Sequence, residues 1–234
     1  MPVPGAKKKA RAKLIKKRFL YWQRIARNEI ERRPKRAEIE KIKERQRKDR
    51  DRHANWGDFR TGLRGIRKNL GFDLLAEAKA RIARHNEKNP LKIFDAGCGA
   101  GIALAELKRK FRSKMRTVGL VLEKTPGEKY AGIDRLLVGN ILMVEPHENF
   151  DIIFSHAGAI WHTNLPTTAI ERTVQWLKPG GIAMLEINPT YYEEFCTVLR
   201  RNGITKWRYN YRALVFRKPA RKLPWQKPPV LLMI

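Results

Sequence analysis

The sequence predicts an α/β fold: a doubly wound, seven-stranded sheet with helices on both faces, preceded by a basic helical extension. Three observations predict it. Between Lys92 and Phe216 short apolar runs alternate with helical stretches, the first run breaks into three alternate glycines just before a helix, and the last two runs follow each other almost without a loop. Strands separated by helices imply right-handed crossovers and parallel pairing. A passage from strand through glycines to helix lets a ligand approach bare backbone. Two runs joined so tightly form an antiparallel hairpin at a sheet edge.

Taken in order, strands are expected at Lys92–Ala96, Thr117–Leu122, Asp134–Val138, Phe150–Ser155, Gly181–Ile187, Ile204–Tyr209 and Tyr211–Phe216, with helices at Ile102–Phe111, Thr167–Leu177 and Tyr191–Asn202. Ahead of them lies a helix from about Asp73 to His85, with Leu74, Leu75, Ala78 and Ile82 on one face. The stretch "HANWGDFRTGLRGIRKNLGFD", residues 53–73, reads as a Gly-punctuated connector. From Ala12 to Asp49 the residues are mostly good helix formers interrupted by Pro34, so two helices are expected there, the second polar enough to bridge solvent or lie on RNA. The chain thus divides into a basic extension (1–52), a connector and leading helix (53–90), a sheet domain (91–218) and a basic, Pro-rich tail (219–234).

A chain of 234 residues can bury a real core without staples. Its two cysteines, Cys98 and Cys196, make no disulfide framework, and no cluster has zinc-ligand spacing, so no metal is expected and the reduced cytosol is the default compartment. No apolar run approaches the length of a membrane span, and the N-terminus lacks the apolar block of a secretory signal. Its basic, acid-free start leaves import into an organelle as the alternative.

Charge narrows the partners. Lys and Arg number 51 against 23 Asp and Glu, a formal net charge of +28. Residues 1–60 carry 22 basic against 8 acidic residues, and the other 174 carry 29 against 15, so the excess is densest in the extension while the domain is basic too. Such a chain attracts polyanions, with an affinity that falls steeply with salt. RNA is the expected partner, anchored by an arm comprising Lys7, Lys8, Lys9, Arg11, Lys13, Lys16, Lys17 and Arg18. A membrane surface would call for a longer amphipathic helix than "LIKKRFLYW" supplies.

In "IFDAGCGAG" the strand runs into Asp95, then Gly97, Gly99 and Gly101, before a helix begins at Ile102. The spacing is G-x-G-x-G, not the G-x-G-x-x-G of a dinucleotide fingerprint. This stretch resembles the first motif of the class I S-adenosylmethionine-dependent methyltransferases, and "WLKPGGIAMLEI" (176–187) resembles the turn and fifth strand of the same family. The likeness extends over about Leu91 to Lys218. It implies a Rossmann-like sheet ordered 3-2-1-4-5-7-6 with S-adenosylmethionine over the carboxyl ends of the strands.

Carried over by residue, the resemblance implies that Asp95 engages the methionine amino group, that Gly97, Cys98 and Gly99 line methionine and ribose, and that Gly101 lets the helix pack, with Ala96, Ile141 and Ser155 completing the site. Family members place an acid at the end of the second strand for the ribose. Here that position is Val121, and either Glu123 reaches in or the ribose is held otherwise. Asn140 stands where an Asp usually neighbours adenine, and its amide can pair with an adenine edge.

The acceptor is less legible. "SHAG" (155–158) lacks the motif of exocyclic-amine methylation, "NPTYY" (188–192) imitates that motif but follows the fifth strand and reads as a helix start, and neither cysteine suits cytosine C5 chemistry. His156 stands where a general base would meet the acceptor, or where a strand-end histidine serves as a hydrogen-bonder. Trp161 and His162 are placed to stack on a base or cap a pocket. Two functions follow: a methyltransferase acting on RNA or a ribonucleoprotein, the ribosome foremost, or a non-catalytic ribonucleoprotein component or assembly factor that keeps the fold. A metabolite substrate does not account for +28.

Overall fold

The computed structural model describes residues 62–220, apart from 125–129, 164 and 211. The expected helices of the extension, the basic arm and the tail beyond Ala220 lie outside the described residues.

Besides two short 3-10 turns (Arg112–Lys114 and Pro189–Tyr191), thirteen α-helices and strands follow one another among the described residues: α1 (Leu63–Leu70), α2 (Leu74–Ile82), β1 (Leu91–Ala96), α3 (Ile102–Phe111), β2 (Met115–Val121), β3 (Arg135–Val138), β4 (Phe150–Ser155), α4 (Ala159–His162), α5 (Pro166–Trp176), β5 (Leu177–Glu186), α6 (Tyr192–Arg201), β6 (Trp207–Tyr209) and β7 (Ala213–Arg217). The strands form one sheet ordered β3-β2-β1-β4-β5-β7-β6, in which β7 runs antiparallel to both β5 and β6 and the other pairs are parallel.

Alternation along each central strand feeds two layers. Phe94, Val118, Leu120, Ile153, Ala183 and Leu185 face α5 and α6, where Phe94 stacks on Phe150 at 4.9 Å and meets Trp176 edge-on at 5.6 Å. Ile93, Ile152, Phe154 and Met184 face the other way, beneath α1, α2 and α3. Both β1 and β4 are nearly continuous apolar runs because both of their faces are covered.

The connector departs from expectation, because it contains α1. Ile66 and Leu70 bury one stripe, while Gly62 and Gly71 are the helix ends, Gly71 closing it at φ 69°. The first turn of α1 borrows its cap from a distant element: Glu106 on α3 accepts from the Leu63 N–H at 2.8 Å. α2 is capped by its own Asp73, which accepts from the Ala76 N–H at 2.9 Å. As "NPTYY" suggests, Asn188 accepts from the Thr190 N–H at 3.0 Å and a single 3-10 turn leads into α6. β5 begins four residues earlier than expected, and β6 keeps only the last three residues of its expected span.

Candidate functional site

The carboxyl ends of β1, β4 and β5 converge at the point where strand order reverses, the position at which open α/β sheets bind ligands. Here the loop after β1 meets the loop after β4, backbone against backbone. Gly97 sits at φ 119°, and a Cβ on it would lie 2.4 Å from the Gly158 Cα and 2.7 Å from the Ala159 N. Ser155 ties the two strand ends together by donating from its hydroxyl to the Ala96 carbonyl at 2.8 Å. Gly99 and Gly101 also have positive φ, and a Cβ at Gly101 would strike Ile133 at 2.6 Å.

Asp95 is buried at 5% exposure, and its Oδ1 has no hydrogen-bond partner among the described residues. Burial pushes its carboxyl well above the usual carboxylate range, because nothing described compensates the loss of water. A cationic ligand group would supply what is missing. The ammonium of a bound S-adenosylmethionine fits this requirement, and Gly97 lets the loop after β4 close directly against the loop that carries it. The first-turn N–H groups of α3 add donors, with no side chain capping them.

The other expected cofactor residues divide by role. The Cys98 N–H donates to the Leu120 carbonyl at 2.8 Å, and its sulfur packs into the layer below, where a Cβ on Gly119 would come within 2.6 Å of it. Burial, then the nearby Asp95, push that thiol far up, so it is no nucleophile. Ile141 is core. Asn140 is buried, and its Oδ1 accepts from the Leu142 N–H at 2.9 Å, holding the turn after β3. Glu123 is half-buried, two residues beyond the end of β2 at Val121.

Directly after β4, His156 is one member of a polar chain. The Asn69 amide of α1 lies 3.2 Å from the ring Nε2, so an N–H donated there leaves the ring proton on Nδ1. Glu186, 1% exposed at the end of β5, lies 4.0 Å from the same nitrogen, accepts from the Ala157 N–H at 2.5 Å and pairs with Arg212. That bond holds Ala157 at φ 46°, a strained value for alanine. Arg212 in turn lies 6.0 Å over the Trp161 ring. Burial lowers the His156 pKa first, Glu186 opposes this, and Arg212 adds to the lowering, so the ring is neutral near pH 7.

Asn69, Glu186 and Arg212 escape a reading for site residues. An acid closing an apolar strand was the signal for Glu186, whereas Asn69 and Arg212 join His156 only through the fold. Among the described residues no group of three His, Cys, Asp or Glu side chains is arranged to hold a metal ion.

Residues 94–185 match the family described as a methyltransferase domain. No curated protein matches. The chain is similar to solved structures that include the SAM-bound amino pentose methyltransferase CalS10 from Micromonospora echinaspora, at 22% identity over 48% of each chain and a TM-score of 0.37. PKMT2 from Rickettsia typhi, in complex with AdoHcy, matches at 27% identity over 42% of this chain and 22% of its own, with a TM-score of 0.36. A third is a Haloferax volcanii methyltransferase, described as putative, in complex with the Trm112 activator, at 17% identity over 67% of this chain and 93% of that one, with a TM-score of 0.43. The chain spans less than two thirds of the length of the first two.

Proposed function

We propose, from the premise that this chain carries a class I S-adenosylmethionine-dependent methyltransferase domain, that it methylates RNA or a protein held within an RNA complex, the ribosome foremost. The observation that carries the donor half is the buried, unpartnered Asp95 oxygen beside Gly97, where a Cβ would meet the Gly158 backbone. When bound, S-adenosylmethionine supplies a sulfonium methyl open to in-line attack. Asp95 holds its ammonium, the loop from Ala96 to Gly101 receives methionine and ribose, Glu123 takes the ribose hydroxyls, and Asn140 borders the adenine.

On the acceptor side, His156 is the group placed to take a proton. The ring is neutral at working pH, and the buried carboxylate of Glu186 stabilises the imidazolium that proton transfer creates. Because Asn69 occupies Nε2, an acceptor using that nitrogen must displace the Asn69 side-chain amide. A ring nitrogen or carboxylate acceptor has no proton to lose and leaves the Asn69–His156 contact in place.

RNA is supported by the charge, since a metabolite has no use for +28 spread over extension and domain. The second reading, a non-catalytic ribonucleoprotein component, is favoured by one observation: Val121 stands where the ribose acid is expected. Crosslinking in cells, followed by methyl transfer from labelled S-adenosylmethionine to the contacted RNA or its bound protein, separates the two. Label on a crosslinked target, lost in Gly99→Arg, supports the enzyme. A crosslinked site with no label, from protein that still binds the cofactor, overturns it in favour of the second reading.

A further inference from the structure

The sheet ends on β6, whose outer edge has no strand neighbour among the described residues. Its short span packs an aromatic cluster against α6. Tyr209 stacks on Tyr192 with ring centroids 4.1 Å apart, the Trp207 indole N–H donates to the Tyr192 hydroxyl at 3.1 Å, and the Arg200 guanidinium lies 5.3 Å over the Trp207 ring. All three rings are half-buried, whereas Arg200, Lys206 and Arg208 are exposed. Among the described residues neither Lys206 nor Arg208 has a carboxylate partner. Nearby Arg201 is paired with Glu171, and Glu193 and Glu194 sit at the opposite end of α6 from Arg200.

The cluster is not remote from the site. The turn joining β6 to β7 lies over the end of β5, where the Ile187 N–H donates to the Arg212 carbonyl at 2.8 Å, and Ala213 is level with Glu186. Arg212, with Trp161 beside it, stands at one end of this turn, and Tyr209 ends β6 at the other. Along β6 the rings of Trp207 and Tyr209 face α6 and Arg200, while Arg208 between them projects to the other face of the same edge.

We propose that this edge is a docking ledge for single-stranded RNA, with unpaired bases stacking on Tyr209, Tyr192 and Trp207 while Arg200, Lys206 and Arg208 meet the phosphates. Every base offers a π-face and every step a phosphate, so alternating rings and cations suit a splayed single strand and not a duplex. Charge complementarity selects the occupant, because an acidic peptide would satisfy the cations but leave the rings unused. The proposal rests on the RNA reading above and adds where the strand enters.

The test is anisotropy with the full-length protein and a labelled, unstructured RNA of about 20 nucleotides, beside a duplex of equal length. The combined variant Arg200→Glu, Lys206→Glu, Arg208→Glu changes only exposed side chains. It is expected to weaken single-strand binding about 10-fold or more while S-adenosylmethionine affinity stays unchanged and Tm falls by only a few degrees, since Arg200 leaves the Trp207 ring and the last turn of α6. Tyr209→Leu, which keeps apolar cover but removes a ring, is expected to weaken single-strand binding about 5-fold and leave duplex binding alone. Single-strand affinity within twofold of wild type in the combined variant overturns the ledge and leaves the RNA reading standing. Equal losses on both RNAs in Tyr209→Leu also overturn it. No RNA binding by the unaltered protein overturns both.

Discussion

Gly97→Ala isolates the geometry on which the cofactor site depends. The new Cβ would sit 2.4 Å from the Gly158 Cα and 2.7 Å from the Ala159 N, against an ordinary carbon contact of about 3.5–4 Å, so the two loops must part by about 1 Å. The φ of 119° adds about 1–3 kcal/mol of backbone strain. Parting the loops also endangers the Ser155 to Ala96 hydrogen bond, worth about 1 kcal/mol. Together these come to about 3 kcal/mol, or a fall in Tm of roughly 6–12 °C for a domain of this size. Gly180→Ala is the internal control. Its φ is 77° but a Cβ there meets nothing within 4 Å, so strain alone acts, costing about 1 kcal/mol. Thermal unfolding of both variants, with and without S-adenosylmethionine, reads the difference. If Gly97→Ala melts no lower than Gly180→Ala and is still stabilised by the cofactor, close backbone approach is not what the loop is for.

Asp95→Asn is expected to raise the Tm of the cofactor-free protein at neutral pH: a carboxyl whose folded pKa lies above its unfolded 3.8 loses stability as pH climbs between the two, and the amide escapes that loss. The same variant should weaken S-adenosylmethionine about 30-fold or more, read by calorimetry. His156 carries the opposite pH signature. Its folded pKa lies below the ordinary 6.5, so the stability it contributes is complete above 6.5 and is lost as pH falls toward the folded value; His156→Gln should flatten that part of the Tm profile. Deleting residues 1–50 should weaken RNA binding and its salt dependence while sparing S-adenosylmethionine affinity, as filter binding and calorimetry on the truncated chain would show.

Much of the architecture is local and was therefore legible. The Ile102–Phe111 helix and the Phe150–Ser155 strand keep their expected limits, because a glycine or a polar residue bounds each apolar pattern. The helix within the connector was obscured by its own boundaries: Gly62, Gly65 and Gly71 read as loop punctuation, though two of them cap the helix and Leu63, Ile66 and Leu70 form its apolar stripe. The cap for its first turn comes from Glu106, 43 residues away, and no window along the chain could show it.

At the site the same division holds. Asp95 and the glycines follow one another in sequence and were found together. His156 was singled out by position, but its partners arrive from 87 residues upstream and from the hairpin turn downstream, and only they reveal a ring already hydrogen-bonded to α1. Cys98 and Ile141 lie within the right segments, yet side-chain direction is set by packing, which sends both into the core.

The central claim meets its most direct test in a calorimetric titration of the full-length protein with S-adenosylmethionine at neutral pH. One site with a Kd on the order of micromolar, abolished by Gly99→Arg, is the predicted result. An absence of binding heat at several temperatures, with no change in Tm at millimolar cofactor, would contradict it.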